Sequence, residues 1–322
     1  MISVAGSVLI VSHTHDIHAT DVLARLRQRG IEPVLFDTGR IPRETRLTIN
    51  HDPASAWAAW AKADGREIDF TQVRSAWWRR PQPFSLDVAV GGHDDRHFAL
   101  SETHAAVGGL WSLLDATWMN EPDRDERAGR KAYQLKAARA AGLVVPRTCI
   151  TNDPDRARAF IAAERGEVIY KTFTATESTW RETRRLRENE AELLDAVRFA
   201  PLIFQQHIPA TADLRVTVVG DALFAAAIRV PPGAYAYDFR MTMSGAAITP
   251  HALPDDVANG LRKLMGALGL VYAAIDLRLT PEGEHVFLEV NPAGQWLFIE
   301  QATQQPISEA IAAMLADWAA QR

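Results

Sequence analysis

The chain has 322 residues, of which 47% are hydrophobic and 23% charged, and its formal net charge is −5. Such a composition is typical of a globular protein with room for two or three subdomains, and the acidic balance disfavours a nucleic-acid-binding surface. The single cysteine, Cys149, excludes an internal disulfide and favours a reducing, cytoplasmic location. No apolar run reaches the roughly 18 residues that a membrane span needs, so we expect neither nucleic acid nor membrane as a partner.

The first third, residues 1–118, has the pattern of an α/β unit. Ser7–Ser12 is a short apolar run, typical of a strand buried on both faces. Ala19–Arg29 has helical apolar spacing and ends before Gly30, and Pro33–Asp37 predicts the next strand. This order predicts an open α/β sheet. The turn after the first strand lacks Gly-x-Gly-x-x-Gly, so nothing indicates a nicotinamide cofactor.

Three histidines follow the first predicted strand: His13, His15 and His18. A zinc site is one interpretation of such a cluster. Histidines grouped in one loop without a cysteine are more often polar loop residues, and we favour that interpretation here.

A strand and turn over Val73–Pro81 contain two tryptophans and two arginines, Trp77, Trp78, Arg79 and Arg80. Aromatic and cationic side chains together are one pattern of a stacking site for nucleic acid. The acidic net charge favours the other interpretation, in which the tryptophans belong to the core and the arginines are paired or solvated.

The middle of the chain, residues 119–200, begins with a polar segment that indicates a domain boundary. Lys131–Ala141 is a strong helix pattern closed by Gly142. A lysine at a helix start, such as Lys131, is in general more often a solvated surface charge. Lys171 stands inside the apolar strand Val168–Phe173, so its ammonium group must reach water or an anion. Glu182–Phe199 is predicted to be a charged amphipathic helix.

The last part, residues 201–322, contains a pair of charged residues in an apolar strand and a further arginine. Asp213 and Arg215 are two residues apart in an apolar strand, so their side chains lie on the same face. A structural salt bridge is one explanation for this pair, and a role at a ligand is the other. Arg240 follows in a Tyr-Asp-Phe-Arg segment.

The segment from Tyr272 to Asn291 predicts a hairpin with a Pro-Glu-Gly-Glu turn. Glu289 and Asn291 share a face of the second strand, and Asp276 lies nearly as far before the turn as Glu289 lies after it. Two carboxylates and an amide are the hard oxygen donors that suit Mg²⁺ or Mn²⁺. Acidic decoration of a surface hairpin is the alternative, but Glu289 is flanked by Val, Phe and Leu, which favours a cation partner.

The motifs D-x-R (276–278), F-L-E-V-N-P (287–292) and N-P-A-G-Q-W (291–296) resemble the metal-binding end of ATP-grasp enzymes. With Trp-Arg-Arg-Pro and D-x-R-V (213–216), they are most similar to the microviridin-type graspetide synthetases. The resemblance covers most of residues 70–300. It implies an α/β (α+β) ATP-grasp fold: an N-terminal pre-ATP-grasp α/β domain (1–118), a central ATP-grasp subdomain (119–200) and a C-terminal antiparallel-sheet subdomain (201–322), with ATP between the last two.

The resemblance also implies a role for each candidate residue. In such enzymes two lysines bind the nucleotide phosphates, a hinge strand binds adenine, an aspartate binds the ribose, arginines hold the reacting carboxylate, and a mobile loop, here 172–179, covers the triphosphate. Relatives commonly carry glutamate where this chain has Gln206. In that order the matching residues here are Lys131 and Lys171; Gln205, Gln206, His207 and Ile208; Asp213; and Arg215, Arg240 and Arg278, with Asp276, Glu289 and Asn291 on the metal.

The resemblance implies an ATP- and Mg²⁺-dependent ligase that phosphorylates Asp or Glu side chains of a ribosomal precursor peptide. It then closes ester or amide rings with Ser, Thr or Lys side chains. A leader segment of the peptide and a homodimeric assembly are part of this expectation. Two alternatives stay open: an ATP-grasp ligase acting on a free amino acid or a protein C-terminus, of the glutathione synthetase or ribosomal-protein glutamate ligase type, and a non-catalytic ATP-binding regulatory protein.

Overall fold

The computed structural model describes residues 2–4, 7–54, 57–173, 184–186, 188–231 and 245–321. In this part of the chain the strands form four sheets. None of the helices in these ranges combines the length and apolar character that a bilayer crossing requires.

The N-terminal part contains a parallel four-stranded sheet and a second, mainly antiparallel sheet that the sequence pattern did not reveal. The parallel sheet has the order β3-β2-β7-β8, and the second has the order β1-β6-β5-β4. The elements are β1 (Ile2–Val4), β2 (Val8–Val11), α1 (Ile17–Gln28), β3 (Val34–Phe36), β4 (Arg46–Asn50), β5 (Ala58–Ala63), β6 (Arg66–Asp69), β7 (Ser75–Trp78), α2 (His93–Leu113) and β8 (Thr117–Met119).

The predicted strand–helix–strand start of the chain is present as β2, α1 and β3. All four residues of β2 are completely buried, as a strand at the centre of a parallel sheet requires. Helix α1 begins at Ile17 because the Asp16 side chain accepts a hydrogen bond from the backbone N–H of His18.

The middle of the chain supplies two helices and then a small antiparallel sheet with the order β11-β10-β12-β9. The segment predicted as a helix over Glu182–Phe199 instead includes the short strand β11 and a 3₁₀ helix over Glu188–Phe199. The elements are α3 (Pro122–Ala128), α4 (Lys131–Ala140), β9 (Thr148–Thr151), α5 (Pro154–Ala163), β10 (Val168–Lys171), β11 (Arg184–Arg185) and β12 (Leu202–Gln206).

The C-terminal part is a five-stranded antiparallel sheet, ordered β15-β14-β13-β16-β17. The predicted hairpin is its β16–β17 pair, with Gly283 at φ 86° in the connecting turn. The elements are β13 (Ala212–Val219), β14 (Ala222–Arg229), β15 (Ala247–Pro250), α6 (Asp255–Leu268), β16 (Tyr272–Leu279), β17 (His285–Asn291), α7 (Leu297–Thr303) and α8 (Ile307–Ala320).

Sheet membership differs from the predicted division at residues 119 and 200. Strand β12, which the prediction assigns to the C-terminal part, is hydrogen-bonded on both sides within the central sheet, to β9 and β10. Helices α3 and α4, which the prediction assigns to the central part, share a core with the C-terminal sheet and α6. Backbone pairing and helix packing over long sequence separations decide these borders, and a linear composition shift does not report them.

The N- and C-terminal parts share a core. Residues of β2, α1 and β7 pack with α8 and with Tyr272 and Trp296 in one apolar cluster. The apolar face of α8, including Ile307, Ile311 and Leu315, is buried in this cluster. The end of β17 therefore lies close to the N-terminal domain.

Candidate active site

Two adjacent strands, β16 and β17, carry the predicted metal ligands on one face of the C-terminal sheet. Asp276 lies opposite Glu289, and Ala274 lies opposite Asn291. A β-bulge makes this possible: the register shifts between Asp276 and Leu277, so that Leu288 is an extra residue in β17. Without it, Leu288 would oppose Asp276. The structure thus brings the two carboxylates together, and the bulge is a feature that the sequence prediction missed.

Each of the two carboxylates forms an ion pair with a basic side chain. Arg215 Nη1 donates to Asp276 Oδ1 at 2.6 Å, and Lys131 Nζ donates to Glu289 Oε2 at 2.6 Å. Arg215 is cross-strand to Asp276, and Lys131 is the first residue of α4. We call the alternating series Arg215, Asp276, Glu289 and Lys131 the charge row. Arg215 is nearly buried, whereas the Lys131 and Glu289 side chains are 22% and 21% exposed, so the Lys131 end of the row is open to solvent.

A third ion pair, between Arg278 and Asp213, lies next to the charge row. Arg278 Nε donates to Asp213 Oδ1 at 3.0 Å, and its Nη1 donates to the carbonyl of Ile208 at 2.7 Å. Asp213 and Arg278 are cross-strand neighbours in β13 and β16. Asp213 and Arg215, two residues apart in β13, therefore each pair with a residue of β16.

The donor set fits a hard divalent cation. Asp276, Glu289 and Asn291 supply carboxylate and amide oxygens from adjacent positions, and the bulge aligns them. Within the described residues, no group of three or more His, Cys, Asp or Glu side chains stands at metal-ligand spacing. A metal at this site would therefore depend on the Asn291 amide as well as the two carboxylates. Lys131 and Arg215 now balance the charge that a cation would balance.

The predicted hinge strand forms the middle of the central sheet and continues into residues 207–208. The backbone N–H of Gln206 donates to Arg147 O at 2.8 Å, and that of His207 donates to Glu167 O at 2.9 Å. Gln205 is buried and its Nε2 donates to Thr148 Oγ1 at 2.9 Å, while the Gln206 Oε1 accepts from the Arg147 N–H. The amide side chains of both glutamines thus bind within the protein.

Lys171 ends β10, where it is half-buried and pairs in register with Ile203 of β12. Arg240 and most of the hydroxyl-rich loop, from Thr174 to Thr179, lie outside the described residues. Their assigned roles stay predictions.

Two buried amides hold the end of the β16–β17 hairpin, and sequence reasoning did not single them out. The side-chain oxygen of Gln134 accepts from the Val290 N–H at 3.0 Å, and its Nε2 donates to Val290 O at 2.8 Å. Asn120, at φ 58°, accepts from the N–H groups of Val271 and Tyr272 and donates to Tyr272 O at 2.8 Å. Their backbone partners lie about 150 residues away along the chain, which no local pattern signals.

The Trp-Arg-Arg-Pro segment contacts the residues that follow Asn291. Trp77 and Arg79 are fully buried, which confirms the core interpretation of Trp77. Arg79 Nη1 donates to the Gly294 carbonyl at 2.9 Å, and Arg79 pairs with Asp16 at 3.2 Å. Two motifs of the resemblance, W-R-R-P and N-P-A-G-Q-W, therefore meet in space.

The three early histidines separate. His13 and His15 lie in the turn before α1, in agreement with the loop interpretation. That interpretation is wrong for His18, which is buried in the first turn of α1 with its ring 4.5 Å from the Trp296 ring. Burial, followed by the nearby Arg79, lowers the pKa of His18 to about 4, so the imidazole is neutral at physiological pH.

Two protein-family models match the chain. The RimK-like ATP-grasp domain matches residues 128–315, and the MvdD pre-ATP-grasp domain matches residues 7–126. No curated protein matches the chain.

Several solved structures are similar over nearly the whole chain. Macrocyclase MdnC from Microcystis aeruginosa MRC, bound with precursor peptide MdnA, is 26% identical with a TM-score of 0.86, covering 98% of this chain and 100% of its own. Macrocyclase MdnB from the same organism is 32% identical with a TM-score of 0.80, covering 96% and 98%. The ATP-grasp ligase PsnB, complexed with minimal precursor, Mg and ADP, is 26% identical with a TM-score of 0.79, covering 99% of both chains.

These matches confirm the predicted resemblance, the ATP-grasp fold and the ligase class. The chain belongs to the RimK-like ATP-grasp ligases, and with its pre-ATP-grasp domain it stands among the microviridin-type graspetide synthetases.

Proposed function

We propose that this ligase closes rings in a ribosomal precursor peptide by joining Asp or Glu side chains to Ser, Thr or Lys side chains. The observation that carries the proposal is the charge row on the C-terminal sheet, in a chain that is similar to peptide macrocyclases along almost its entire length. The substrate is a peptide with a leader segment, bound through the leader and modified in the following core.

ATP and Mg²⁺ are the proposed cofactors, with Mn²⁺ as a substitute because the same oxygen donors suit both ions. Asp276, Glu289 and Asn291 would hold the metal, and the metal would neutralise phosphate charge during transfer. Lys131 and Lys171 bind the phosphates. Gln205, Gln206, His207 and Ile208 form the adenine side of the site, and Asp213 binds the ribose.

The ion pairs of the charge row indicate which contacts would rearrange when the nucleotide binds. Lys131 is bonded to Glu289, and its ammonium group would be free to bind a phosphate oxygen if Glu289 held a metal instead. Arg215, at the other end of the row, stays attached to Asp276 in this proposal and holds the reacting carboxylate. In our proposal Arg240 and Arg278 also hold that carboxylate.

The proposed reaction has two steps. A peptide carboxylate oxygen attacks the γ-phosphorus of ATP, which forms an acyl phosphate and releases ADP. A side-chain hydroxyl or amine then attacks the acyl carbon, loses its proton and expels inorganic phosphate. One water equivalent leaves the peptide for each ester or amide formed. Positioning and charge neutralisation carry most of such a transfer, so no nucleophilic residue of the enzyme is required.

We further propose a homodimer in the cytoplasm. The single cysteine supports the reducing compartment. The apolar face of α8 does not by itself support a dimer, because packing in the shared core accounts for it. Light scattering coupled to size-exclusion chromatography tests the assembly.

Mass spectrometry of a precursor peptide tests the function. The peptide is one encoded beside this chain, with Thr, Asp and Glu clustered near its C-terminus. We expect successive losses of water that require ATP, Mg²⁺ and Glu289. The control is Glu284→Gln, an exposed residue in the turn of the same hairpin, which should leave the losses unchanged.

Two other results would replace the proposal. Unchanged peptide together with ATP turnover on a free amino acid would indicate the small-molecule or C-terminal ligase. ATP binding without turnover on either substrate would indicate a regulatory ATP-binding protein.

A further inference from the structure

The carbonyl of Gly294, three residues beyond Asn291, accepts two buried hydrogen bonds. One comes from Arg79 Nη1 at 2.9 Å, in the N-terminal domain. The other comes from Tyr272 Oη at 2.7 Å, on the strand that carries Asp276. A carbonyl with both acceptor positions filled by side chains from distant segments has a fixed direction.

We infer that Arg79 and Tyr272 are positioning residues that orient Asn291 for metal binding through the segment Pro292–Gly294. The inference rests on the proposed metal site. We call Arg79, Tyr272, Asn120 and the segment Pro292–Gly294 the Gly294 clamp.

Two hydrogen bonds connect the clamp directly to Asn291. The backbone N–H of Ala293 donates to Asn291 Oδ1 at 3.1 Å, and Gly294 N–H donates to Asn291 O at 3.1 Å. The direction of the Asn291 amide therefore depends on where residues 293 and 294 lie. Its oxygen keeps one lone pair for a metal while the other accepts from the loop.

Both side chains that donate to the Gly294 carbonyl, Arg79 and Tyr272, are fixed by complete burial in the core. Arg79 is completely buried, lies 5.0 Å from the centre of the Trp296 ring and pairs with Asp16. Tyr272 is also completely buried, and burial raises its pKa to about 12, so the hydroxyl stays protonated and donates at physiological pH. Asn120 adds a bond to the Pro292 carbonyl at 3.4 Å.

The loop packs tightly against β16 at Gly294. A Cβ atom at this residue would lie 2.2 Å from Ala274 Cβ, and Ala274 is the cross-strand partner of Asn291. The loop thus folds back directly beneath the ligand, and movement of the Gly294 carbonyl is passed to Asn291 rather than absorbed.

Tyr272→Phe is the test, because it removes one oxygen and keeps the ring in the core. Tyr133→Phe is the matched control, since the Tyr133 hydroxyl also donates to a backbone carbonyl, that of Ala267, at 3.2 Å and at an exposed position. Mn²⁺ binding to the enzyme–ADP complex is measured by electron paramagnetic resonance, and the Mg²⁺ concentration for half-maximal ATP turnover is measured separately. Melting temperatures establish that each variant is folded.

We expect Tyr272→Phe to weaken Mn²⁺ binding and to raise the half-saturating Mg²⁺ concentration by about tenfold, the range seen when partners of metal ligands are removed. The KM for the peptide stays within twofold, and Tyr133→Phe changes neither metal readout. Arg79→Lys keeps the charge but loses the planar guanidinium group, so it should weaken metal binding in the same way. It is the second variant if Tyr272→Phe does not fold.

A folded Tyr272→Phe protein with unchanged metal affinity would overturn the inference while Glu289→Gln still abolishes turnover. Full turnover and metal binding in Glu289→Gln would instead overturn the proposed metal site itself. The two failures are therefore distinguishable.

Discussion

The charge row and the Gly294 clamp are two polar clusters that meet at the β16–β17 hairpin, and they differ in how deeply they are buried. In the charge row, the Lys131–Glu289 pair is partly exposed, whereas the Arg215–Asp276 pair is largely buried. In the clamp, Arg79 and Tyr272 are fully buried and donate to the backbone of a single segment. We propose that the Lys131–Glu289 pair exchanges its partners for metal and phosphate, whereas the clamp keeps its hydrogen bonds.

The difference in burial matches the different roles that we propose: the charge row takes part in the reaction, and the clamp positions Asn291. The Lys131–Glu289 pair reaches solvent, so we expect it to open at a smaller cost than a fully buried contact when a metal and phosphates take its place. Buried donors that lose their acceptor leave an unsatisfied polar group, which is costly. We therefore expect changes in the charge row to affect turnover and changes in the clamp to affect folding as well.

The largest effect should come from Glu289→Gln in the charge row. Loss of the carboxylate charge removes a metal ligand and leaves Lys131 without its anion, and we expect turnover to fall by at least about 100-fold. The melting temperature should change little, because the pair is partly exposed. Asn291→Ala should behave alike. Activity equal to wild type in either variant would remove the metal assignment.

Gly294→Ala should be the most destabilising change in the clamp. The added methyl group would meet Ala274 Cβ at 2.2 Å, and we expect the free energy of unfolding to fall by about 1–3 kcal/mol. Urea denaturation measures it. In the matched control Gly266→Ala, a helical site with open space around it, we expect a gain of about 0.5–1 kcal/mol. Equal stabilities for the two variants would show that the loop beneath Asn291 is not tightly packed.

Lys171→Ala should weaken ATP binding by about tenfold, which is what loss of one charge-assisted hydrogen bond to phosphate predicts. Equilibrium titration with ATP measures the affinity. Lys62→Ala provides the control, since Lys62 is an exposed residue of β5 in the N-terminal domain. Unchanged nucleotide affinity in Lys171→Ala would mean that β10 does not face the nucleotide.

The smallest effect concerns Asp125, beside the clamp. Burial raises the pKa of Asp125 to about 7, although the Asn120 amide at 3.3 Å opposes this. The folded state therefore holds a proton that the unfolded state releases, and the resulting stability is lost as pH rises through 7. Relative to Asp125→Asn, wild type should gain about 1–2 kcal/mol of unfolding free energy between pH 7.5 and 5.5. A pH-independent difference would contradict this.

Local pattern predicted much of the hairpin and of the first βαβ unit, because alternation, turn residues and buried apolar runs are read from neighbouring positions. The bulge at Leu288 could not be predicted in this way, since it is defined by the partner strand. Asn120 and Gln134 were missed for the same reason: each binds backbone that lies more than 150 residues further along.

Charged motifs identified the charge row but not its pairing. The sequence predicted that Asp213 and Arg215 share a face, and both are placed in β13, yet each pairs with a residue of β16. Cross-strand register decides such pairs. The shared core likewise joins Trp77 to Trp296, which no sequence spacing indicates.

Trapping with hydroxylamine, which converts an acyl phosphate to a hydroxamate, tests whether the charge row supports phosphoryl transfer to a peptide carboxylate. The enzyme is incubated with precursor peptide, ATP, Mg²⁺ and hydroxylamine, and the peptide is sequenced by tandem mass spectrometry. We expect hydroxamates on Asp or Glu side chains of the core peptide, formed with ATP and absent with Glu289→Gln. Hydroxamate formed on a free amino acid and never on the peptide would contradict this expectation.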